Sequence, residues 1–179
     1  MGSCRSDRHS RSQLGRMESA VNRKFRTVGV GGTFDELHKG HKTLLLKAFE
    51  VGEHVIVGMS TDQFVRQMGK PQRTASYKQR LKELGDFLDK HGLLQRAKII
   101  PISDAYGSVL LPNDPIEALI VSRETEPTAV KINEKRREIG LTPLQIIVID
   151  MIPSENHSPI STTRIRRGEI DREGHLLKR

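Results

Sequence analysis

The sequence predicts an α/β protein with a doubly wound, Rossmann-like parallel sheet of about five strands and helices on both faces. Strand-like and helix-like segments alternate from Phe25 to the end of the chain. The strand-like segments are short, continuous apolar runs, which is typical of parallel strands buried on both faces. Because crossovers between parallel strands are right-handed, such alternation closes into a doubly wound sheet that binds ligands at the carboxyl ends of its strands.

The predicted elements follow in chain order. The five strands are the apolar runs, at residues 25–31, 54–59, 98–102, 116–121 and 144–150. Helices are predicted at 42–51, 61–68, 76–90 and 126–139, with a last short helix beginning near Ser161. In the third helix, Ser76 is the expected N-cap because Gln79 completes a capping box. The core-facing stripe of this helix is predicted from its helical spacing as Tyr77, Leu81, Leu84 and Leu88.

Charge is concentrated at the two ends of the chain. The formal net charge is +8, of which residues 1–24 carry +4 and residues 164–179 carry +3, so the body is nearly neutral. This distribution gives poor support for a nucleic-acid surface spread over the fold, and no nucleic-acid partner is expected. Residues 1–22 are interpreted as a disordered basic arm or tag, and residues 23–179 as one domain.

Cysteine content and hydropathy bear on the compartment. Cys4 is the one cysteine of the sequence, so a disulfide framework within the chain is excluded and a cytoplasmic setting is expected. Apolar runs fall well short of the roughly 20 residues that span a bilayer, and no membrane partner is expected. The sequence does not decide between a monomer and a homo-oligomer.

The junction between the first strand and the first helix predicts a polyphosphate site. Gly31, Gly32, Thr33 and Phe34 follow the strand, and His38 and His41 stand at the start of the helix. Small residues let the backbone approach a phosphate, and a helix start offers amides and a favourable dipole. The two imidazoles could instead form half of a metal site, but no third ligand accompanies them, so no protein metal site is predicted. Surface histidines are the other alternative.

A second segment near the end of the chain carries matching chemistry. Ser161, Thr162 and Thr163 offer hydroxyls and helix-start amides to phosphates, with Arg164 or Arg166 nearby. An ordinary N-cap role for Ser161 is compatible with this function. The residues 31–41 are called the first segment below, and residues 160–166 the second segment.

These two segments carry a resemblance to a known superfamily. Gly32-Thr33-Phe34-Asp35 with His38-Lys39-Gly40-His41 is similar to the signature of the nucleotidyltransferases with a His-x-Gly-His motif. Ile160-Ser161-Thr162-Thr163-Arg164-Ile165 resembles the second signature of that superfamily, Ile-Ser-Ser/Thr-Thr-x-Ile. Within it, residues 114–150 look like the archaeal and eukaryotic type of phosphopantetheine adenylyltransferase. The residues that carry this narrower resemblance are Val121-Ser122-Arg123-Glu124-Thr125 and Lys131-Ile132-Asn133.

The resemblance implies transfer of AMP from ATP to 4′-phosphopantetheine, which gives dephospho-coenzyme A and pyrophosphate. It implies that His38, His41 and the loop amides near Thr33 and Phe34 hold the triphosphate. Lys70 resembles the basic loop residue that meets the incoming phosphate, although a solvated lysine is the alternative. Mg²⁺ is expected to arrive on ATP, bound by phosphate oxygens and water.

Three further residues are weaker candidates for nucleotide binding. Arg80 lies one helical turn after Tyr77 and could reach a phosphate or form a surface ion pair. Glu124, which is followed by Thr125, lies after the fourth strand, where the nucleotide or the pantetheine should lie. The bacterial form of this enzyme has arginines in the equivalent loop, whereas this sequence has Ser122-Arg123-Glu124. A nucleotide contact is therefore suggested only loosely for Arg123.

Other activities remain open at this point. Another adenylyl- or cytidylyltransferase could share the scaffold, with glycerol 3-phosphate, nicotinamide mononucleotide or flavin mononucleotide as acceptor, because pocket shape sets this choice. A non-catalytic nucleotide sensor or a nucleic-acid binder that uses the basic ends is a further alternative.

Overall fold

The computed structural model describes residues 23–69, 74–150 and 152–178. The predicted arm at residues 1–22 and the candidate Lys70 lie outside the described residues. The strands are β1 Phe25–Gly32, β2 Gly52–Ser60, β3 Ala97–Ile102, β4 Ala118–Ser122 and β5 Gln145–Ile149. The α-helices are α1 Lys39–Val51, α2 Asp62–Gln67, α3 Tyr77–Lys90, α4 Glu126–Glu138 and α5 Thr162–Arg166. Two 3₁₀ turns cover Leu94–Arg96 and Gly107–Leu110.

The five strands form one parallel sheet in the order β3-β2-β1-β4-β5. At the centre, Val28 of β1 pairs with Val55 of β2 on one side and with Ala118 of β4 on the other. The chain runs outward from β1 in one direction as far as β3 and then returns to β4, so the order reverses between β1 and β4. This is the switch point at which doubly wound sheets bind ligands. The predicted fold class is confirmed.

The core lies on both faces of the sheet. On one face, α1 and α3 pack through Leu45, Phe49, Leu84 and other buried side chains against inward residues of β1 and β2. On the other face, α4 and the 107–110 turn pack against the opposite side of the sheet through Ile132 and its neighbours. Helices therefore cover both faces, as the continuous apolar strands predict. Among the helices of the described residues, none combines the length and the apolar character of a bilayer-spanning helix.

Helix starts follow local capping chemistry. Thr61 caps α2 by accepting from the amide of Phe64, and the capping box between Ser76 and Gln79 at the start of α3 is confirmed. Helix α1 begins at Lys39 rather than at residue 42, because the ring of His38 serves as its N-cap. One member of the predicted α3 stripe is wrong: Leu81 is 36% exposed.

Candidate active site

A crevice with a volume of about 460 Å³ opens at the carboxyl ends of β1, β4 and β5. It lies at the switch point, and both the first and the second segment contribute to its walls. Such a volume is within the range of ordinary small-molecule sites. The structure brings together ten of the predicted site residues in its lining: Gly31, Gly32, Thr33, Phe34, His38, His41, Glu124, Ser161, Thr162 and Thr163.

The loop between β1 and α1 has an unusual backbone. Phe34 and Glu36 have φ angles of 52° and 50°, in the left-handed region that residues other than glycine seldom adopt. The Phe34 side chain is buried, and its ring lies 5.4 Å from that of His41. A side-chain carbon at Gly32 would lie 3.3 Å from the same ring, so the absence of a side chain there suits the packing. Backbone conformations of this kind concentrate at functional sites, where the surroundings hold them in place.

The two histidines of the first segment form a stacked pair. Their ring centroids are 3.7 Å apart and the ring planes are inclined by 21°. The Nδ1 atom of His38 accepts from the backbone N–H of His41 at 3.4 Å, which satisfies one of the free amides at the start of α1. Because Nδ1 is an acceptor, the proton of a neutral His38 ring is on Nε2, which can donate to a ligand oxygen.

His38 is held neutral by its surroundings. The side chain is 4% exposed. Burial lowers its pKa from 6.5 to about 4, and the positive charges of Lys42 and Arg172 act in the same direction. At neutral pH His38 is therefore an uncharged hydrogen-bond donor, and two imidazolium charges do not face each other across the stack.

The second segment is joined directly to the first. The hydroxyl of Thr162 donates to the backbone carbonyl of Asp35 at 3.0 Å. Arg166 donates to both carboxylate oxygens of Asp35, at 3.0 and 2.9 Å, and lies 3.2 Å from Glu36. Ser161 caps α5 by accepting from the amide of Arg164. Residues 127 and 131 positions apart in the chain are thus in contact at the wall of one crevice.

The residues after α5, here called the C-terminal segment, hold the same loop from its outer side through Arg172. Arg172 forms ion pairs with Glu36 at 2.7 Å and with Glu83 of α3. Its backbone carbonyl accepts from the amide of Lys39 at 2.8 Å, at the first residue of α1. The strained loop is therefore held from α5, from the C-terminal segment and from α3.

Arg80 lies elsewhere than predicted. It does not line the crevice, and with 0% exposure it is not a surface residue. Its guanidinium group donates to the carbonyl oxygens of Ala75, Thr33 and Ser60 at 2.8–2.9 Å and pairs with Asp62 at 2.8 Å. Arg80 thus supports the backbone beneath the crevice, where it joins the ends of β1 and β2.

Arg123 and Arg164 also lie outside the lining. Arg123 pairs with Asp150 at 2.9 Å between the ends of β4 and β5, and both side chains are largely exposed. Arg164 binds Glu169, Ser154 and the carbonyl of Pro159, so it ties the preceding loop to α5. Direct contact of either residue with a nucleotide stays a prediction, as does the role of Lys70.

Sequence reasoning missed several residues that line the crevice, namely Ser122, Asp150 and Ile152. These residues lie at or just after the ends of β4 and β5, so their position at strand ends was the available signal. Asp35 belongs to the recognised motif but was not assigned a role. In residues 23–69, 74–150 and 152–178, no group of three His, Cys, Asp or Glu side chains could hold a metal ion.

A second cavity of about 220 Å³ adjoins the crevice. The two share Gly31, Gly32, Ser60, Met68 and Thr125 in their linings. The second cavity extends across the other face of the sheet and is largely apolar, with Tyr106, Val109, Ile116 and Ile132 among its walls. A ligand that entered both would have a polar end in the crevice and an apolar or neutral end in the second cavity.

Comparison with known proteins identifies the family. The model of the cytidylyltransferase-like family matches residues 30–168, which include both segments. The phosphopantetheine adenylyltransferase of Methanothermobacter thermautotrophicus is 45% identical over 89% of this chain and 94% of its own length. The chain belongs to the phosphopantetheine adenylyltransferase family. The family member from Pyrococcus abyssi is 44% identical over 87% of this chain and 98% of its own.

A solved structure supports the same architecture. A protein of unknown function from Archaeoglobus fulgidus is 30% identical, with a TM-score of 0.62, over 70% of this chain and 98% of that one. The identities to the two phosphopantetheine adenylyltransferases above confirm, at the level of the family, the resemblance that was predicted from residues 114–150.

Proposed function

We propose that this chain transfers AMP from ATP to the phosphate of 4′-phosphopantetheine, and so produces dephospho-coenzyme A and pyrophosphate. The observation that carries the proposal is the identity of more than 40% to phosphopantetheine adenylyltransferases over nearly their full length. The crevice supports it independently, because two motif segments face one cavity that is large enough for a nucleotide.

The reaction needs positioning more than acid–base chemistry. An oxygen of the acceptor phosphate attacks the α-phosphorus of ATP, the bond from that phosphorus to the bridging oxygen breaks, and pyrophosphate leaves with the electron pair. The attacking phosphate is already an anion, so a general base is unnecessary. Catalysis then depends on alignment of the two phosphates and on neutralisation of the charge that develops on the leaving group.

The first segment supplies the donors for this charge. The Nε2–H of neutral His38, the ring of His41 and the amides near Thr33 and Phe34 would hold the triphosphate oxygens. Donors that are fixed before the reaction need no reorganisation in the transition state, and loss of one such donor typically costs on the order of 10²–10³ in rate. The stacking of His38 on His41 and the cap bond to α1 provide that rigidity.

The second segment would close the other side of the polyphosphate. Ser161, Thr162 and Thr163, at the start of α5, line the same crevice as the two histidines. Lys70 would meet the acceptor phosphate. Mg²⁺ would enter on the triphosphate, bound mainly by phosphate oxygens and water, as is usual for magnesium in phosphoryl-transfer sites.

The second cavity offers a place for the pantetheine arm. That arm is a neutral chain, and a carboxylate or phosphate at its position would lose hydration without gaining a charged partner in a largely apolar pocket. Because the cavity joins the crevice at Gly31, Gly32 and Ser60, an acceptor could keep its phosphate near ATP while its chain lies between the sheet and α4.

A pyrophosphate-release assay tests the proposed function. The purified chain is supplied with ATP or CTP and with 4′-phosphopantetheine, glycerol 3-phosphate, nicotinamide mononucleotide or flavin mononucleotide. Turnover is expected with ATP and 4′-phosphopantetheine, and we expect His41→Ala to lower kcat by at least about 10². Turnover with CTP but not ATP, or with another acceptor alone, would replace the proposal.

The control is a histidine far from the crevice. His54 is exposed near the start of β2, at the amino end of the parallel sheet and thus opposite the crevice. His54→Ala should leave kcat and both KM values within about twofold, as is usual for exposed sites without partners. Equal losses in the two variants would show that the assay does not report on the first segment.

A further inference from the structure

Asp35 belongs to the first segment and has an unusual environment. It is 3% exposed, although its side chain carries a carboxylate. Its Oδ2 accepts from Nε of Arg166 at 3.0 Å, and its Oδ1 accepts from Nη2 of the same residue at 2.9 Å. The amide of Ala75 donates to Oδ1 at 3.1 Å. The carboxylate and the guanidinium group thus meet through two parallel hydrogen bonds, in the bidentate geometry that makes arginine–carboxylate pairs directional.

The backbone of Asp35 makes a fourth connection. Its carbonyl accepts the hydroxyl proton of Thr162 at 3.0 Å. One residue of the first segment therefore holds two residues of the second segment, one through its side chain and one through its main chain. Ala75, immediately before the N-cap of α3, is held by the same carboxylate.

These contacts argue against direct binding of substrate by Asp35. Both oxygens of the carboxylate are occupied by donors from the protein, and a free carboxylate beside a triphosphate would repel it. The guanidinium group of Arg166 compensates the charge in place. Asp35, His38 and Thr162 all line the crevice, so the contacts of Asp35 join two parts of its wall.

We propose that Asp35 is a positioning residue, which holds the first and second segments at the spacing that one polyphosphate requires. The inference rests on the proposed function for its turnover measurements, but its binding measurement does not need an acceptor. A shift of about 1 Å between groups that align reactants can cost on the order of 10² in rate, even when those groups are all retained. A site that must be held this closely needs support from residues that do not touch the ligand.

Asp35→Asn tests this role with little change in shape. The amide oxygen can still accept from Ala75 and from Nη2 of Arg166, but the amide nitrogen cannot accept from Nε, so the second bond and the negative charge of the bidentate pair are lost. The charge of Arg166 keeps a partner, because Oε1 of Glu36 lies 3.2 Å from Nη2 of Arg166. The side chain of Arg166 is also partly exposed to water. The fold should therefore survive while the spacing of the two segments is less firmly fixed, since the bond from Thr162 to the backbone of residue 35 remains.

Kinetics separate positioning from general damage. For Asp35→Asn we expect kcat with ATP and 4′-phosphopantetheine to fall by about 10² and KM for ATP to rise by about tenfold, with KM for the acceptor within threefold. Asp86→Asn is the matched control, because Asp86 forms an exposed ion pair with Lys82 on α3. It should leave all three constants within twofold. Equal values for the two variants would overturn the proposal, and so would a change confined to the acceptor KM.

A binding measurement keeps this test separate from that of the proposed function. Isothermal titration of inorganic tripolyphosphate into wild type and Asp35→Asn, both checked for a cooperative thermal transition, should show about tenfold weaker binding in the variant. If the wild type binds tripolyphosphate but releases no pyrophosphate from ATP with the acceptor, the proposed function fails while the positioning test stands. Equal tripolyphosphate affinity in the two proteins would overturn the role of Asp35.

A double-mutant cycle with Arg166 identifies the partner. If Asp35 acts through Arg166, then Asp35→Asn combined with Arg166→Gln should bind tripolyphosphate no more weakly than the worse single variant. If the double variant loses affinity by the product of the two single losses, the two residues act independently, which would contradict this coupling. Should Asp35→Asn not fold, Arg166→Gln alone carries the test, since it removes the same bidentate pair from a partly exposed site. Retention of wild-type tripolyphosphate affinity by Arg166→Gln would then overturn the proposal.

Discussion

His38 makes the stability of this protein depend on pH in a way that a single variant can isolate. Its pKa is lowered from 6.5 to about 4 by burial, with further contributions from Lys42 and Arg172. Between these two values the unfolded chain binds a proton at this position and the folded protein does not. The free energy of unfolding therefore decreases progressively as the pH falls from 6.5 towards 4. The stability that depends on neutral His38 is fully present above pH 6.5, the pKa in the unfolded chain.

The size of the effect follows from the difference between the two pKa values. At 1.36 kcal/mol per unit, the lowering from 6.5 to about 4 corresponds to about 3 kcal/mol once the titration is complete. At pH 5 the titration is incomplete, and the loss of stability caused by His38 relative to pH 7 is about 2 kcal/mol. We therefore expect wild type to lose about 2 kcal/mol more of its free energy of unfolding between pH 7 and pH 5 than a variant without this ring.

Urea denaturation at pH 7 and pH 5 measures this difference on wild type and His38→Asn. Asparagine keeps the N-cap of α1, because its side-chain oxygen can accept from the same helix amide. The other titratable groups are common to both proteins, which are compared under the same conditions. His54→Asn, at an exposed position, should show the pH dependence of wild type. Equal losses of stability in wild type and His38→Asn would refute the argument that burial holds His38 neutral.

Three further predictions concern residues around the crevice. Arg80→Met should lower the free energy of unfolding by about 3 kcal/mol or more, because it leaves buried carbonyl oxygens without donors; a loss under about 1 kcal/mol in urea denaturation would contradict this. Thr162→Val removes the bond to Asp35 and should lower kcat/KM for ATP by about tenfold at a stability cost of about 1 kcal/mol; unchanged steady-state kinetics would count against it. Arg123→Ala breaks an exposed pair and should change stability by less than about 0.5 kcal/mol, and the KM for ATP of the same variant tests its predicted contact with the nucleotide.

The existence and order of the elements could be predicted because apolar runs and caps are local signals. The capping box of Ser76 and the five strand runs needed no knowledge of tertiary contacts. The start of α1 was placed too late, because Lys39 and Gly40 carry no apolar pattern and a histidine cap is an uncommon signal. Strand β5 is strongly apolar in sequence, but it is an edge strand, and Val148 is partly exposed.

Site residues could be predicted from the sequence where they belong to a recognised motif. They could not be predicted where a charged residue is buried by contacts that form only in the folded protein. Arg80 has the charge of a surface residue, yet it lies on the buried face of α3 because three carbonyl groups and Asp62 satisfy its guanidinium group. Neither this role nor the pairing of Asp35 with Arg166 has a periodic signal, since both depend on which loops the fold brings together. The lining after β4 and β5 was missed in part for the same reason.

A crystal structure of the chain with a non-hydrolysable ATP analogue would show whether both segments bind one triphosphate. We expect the triphosphate to lie between His38 and His41 on one side and Ser161 and Thr162 on the other, with Asp35 still paired to Arg166. A triphosphate bound elsewhere, or bound by one of the two segments alone, would contradict it.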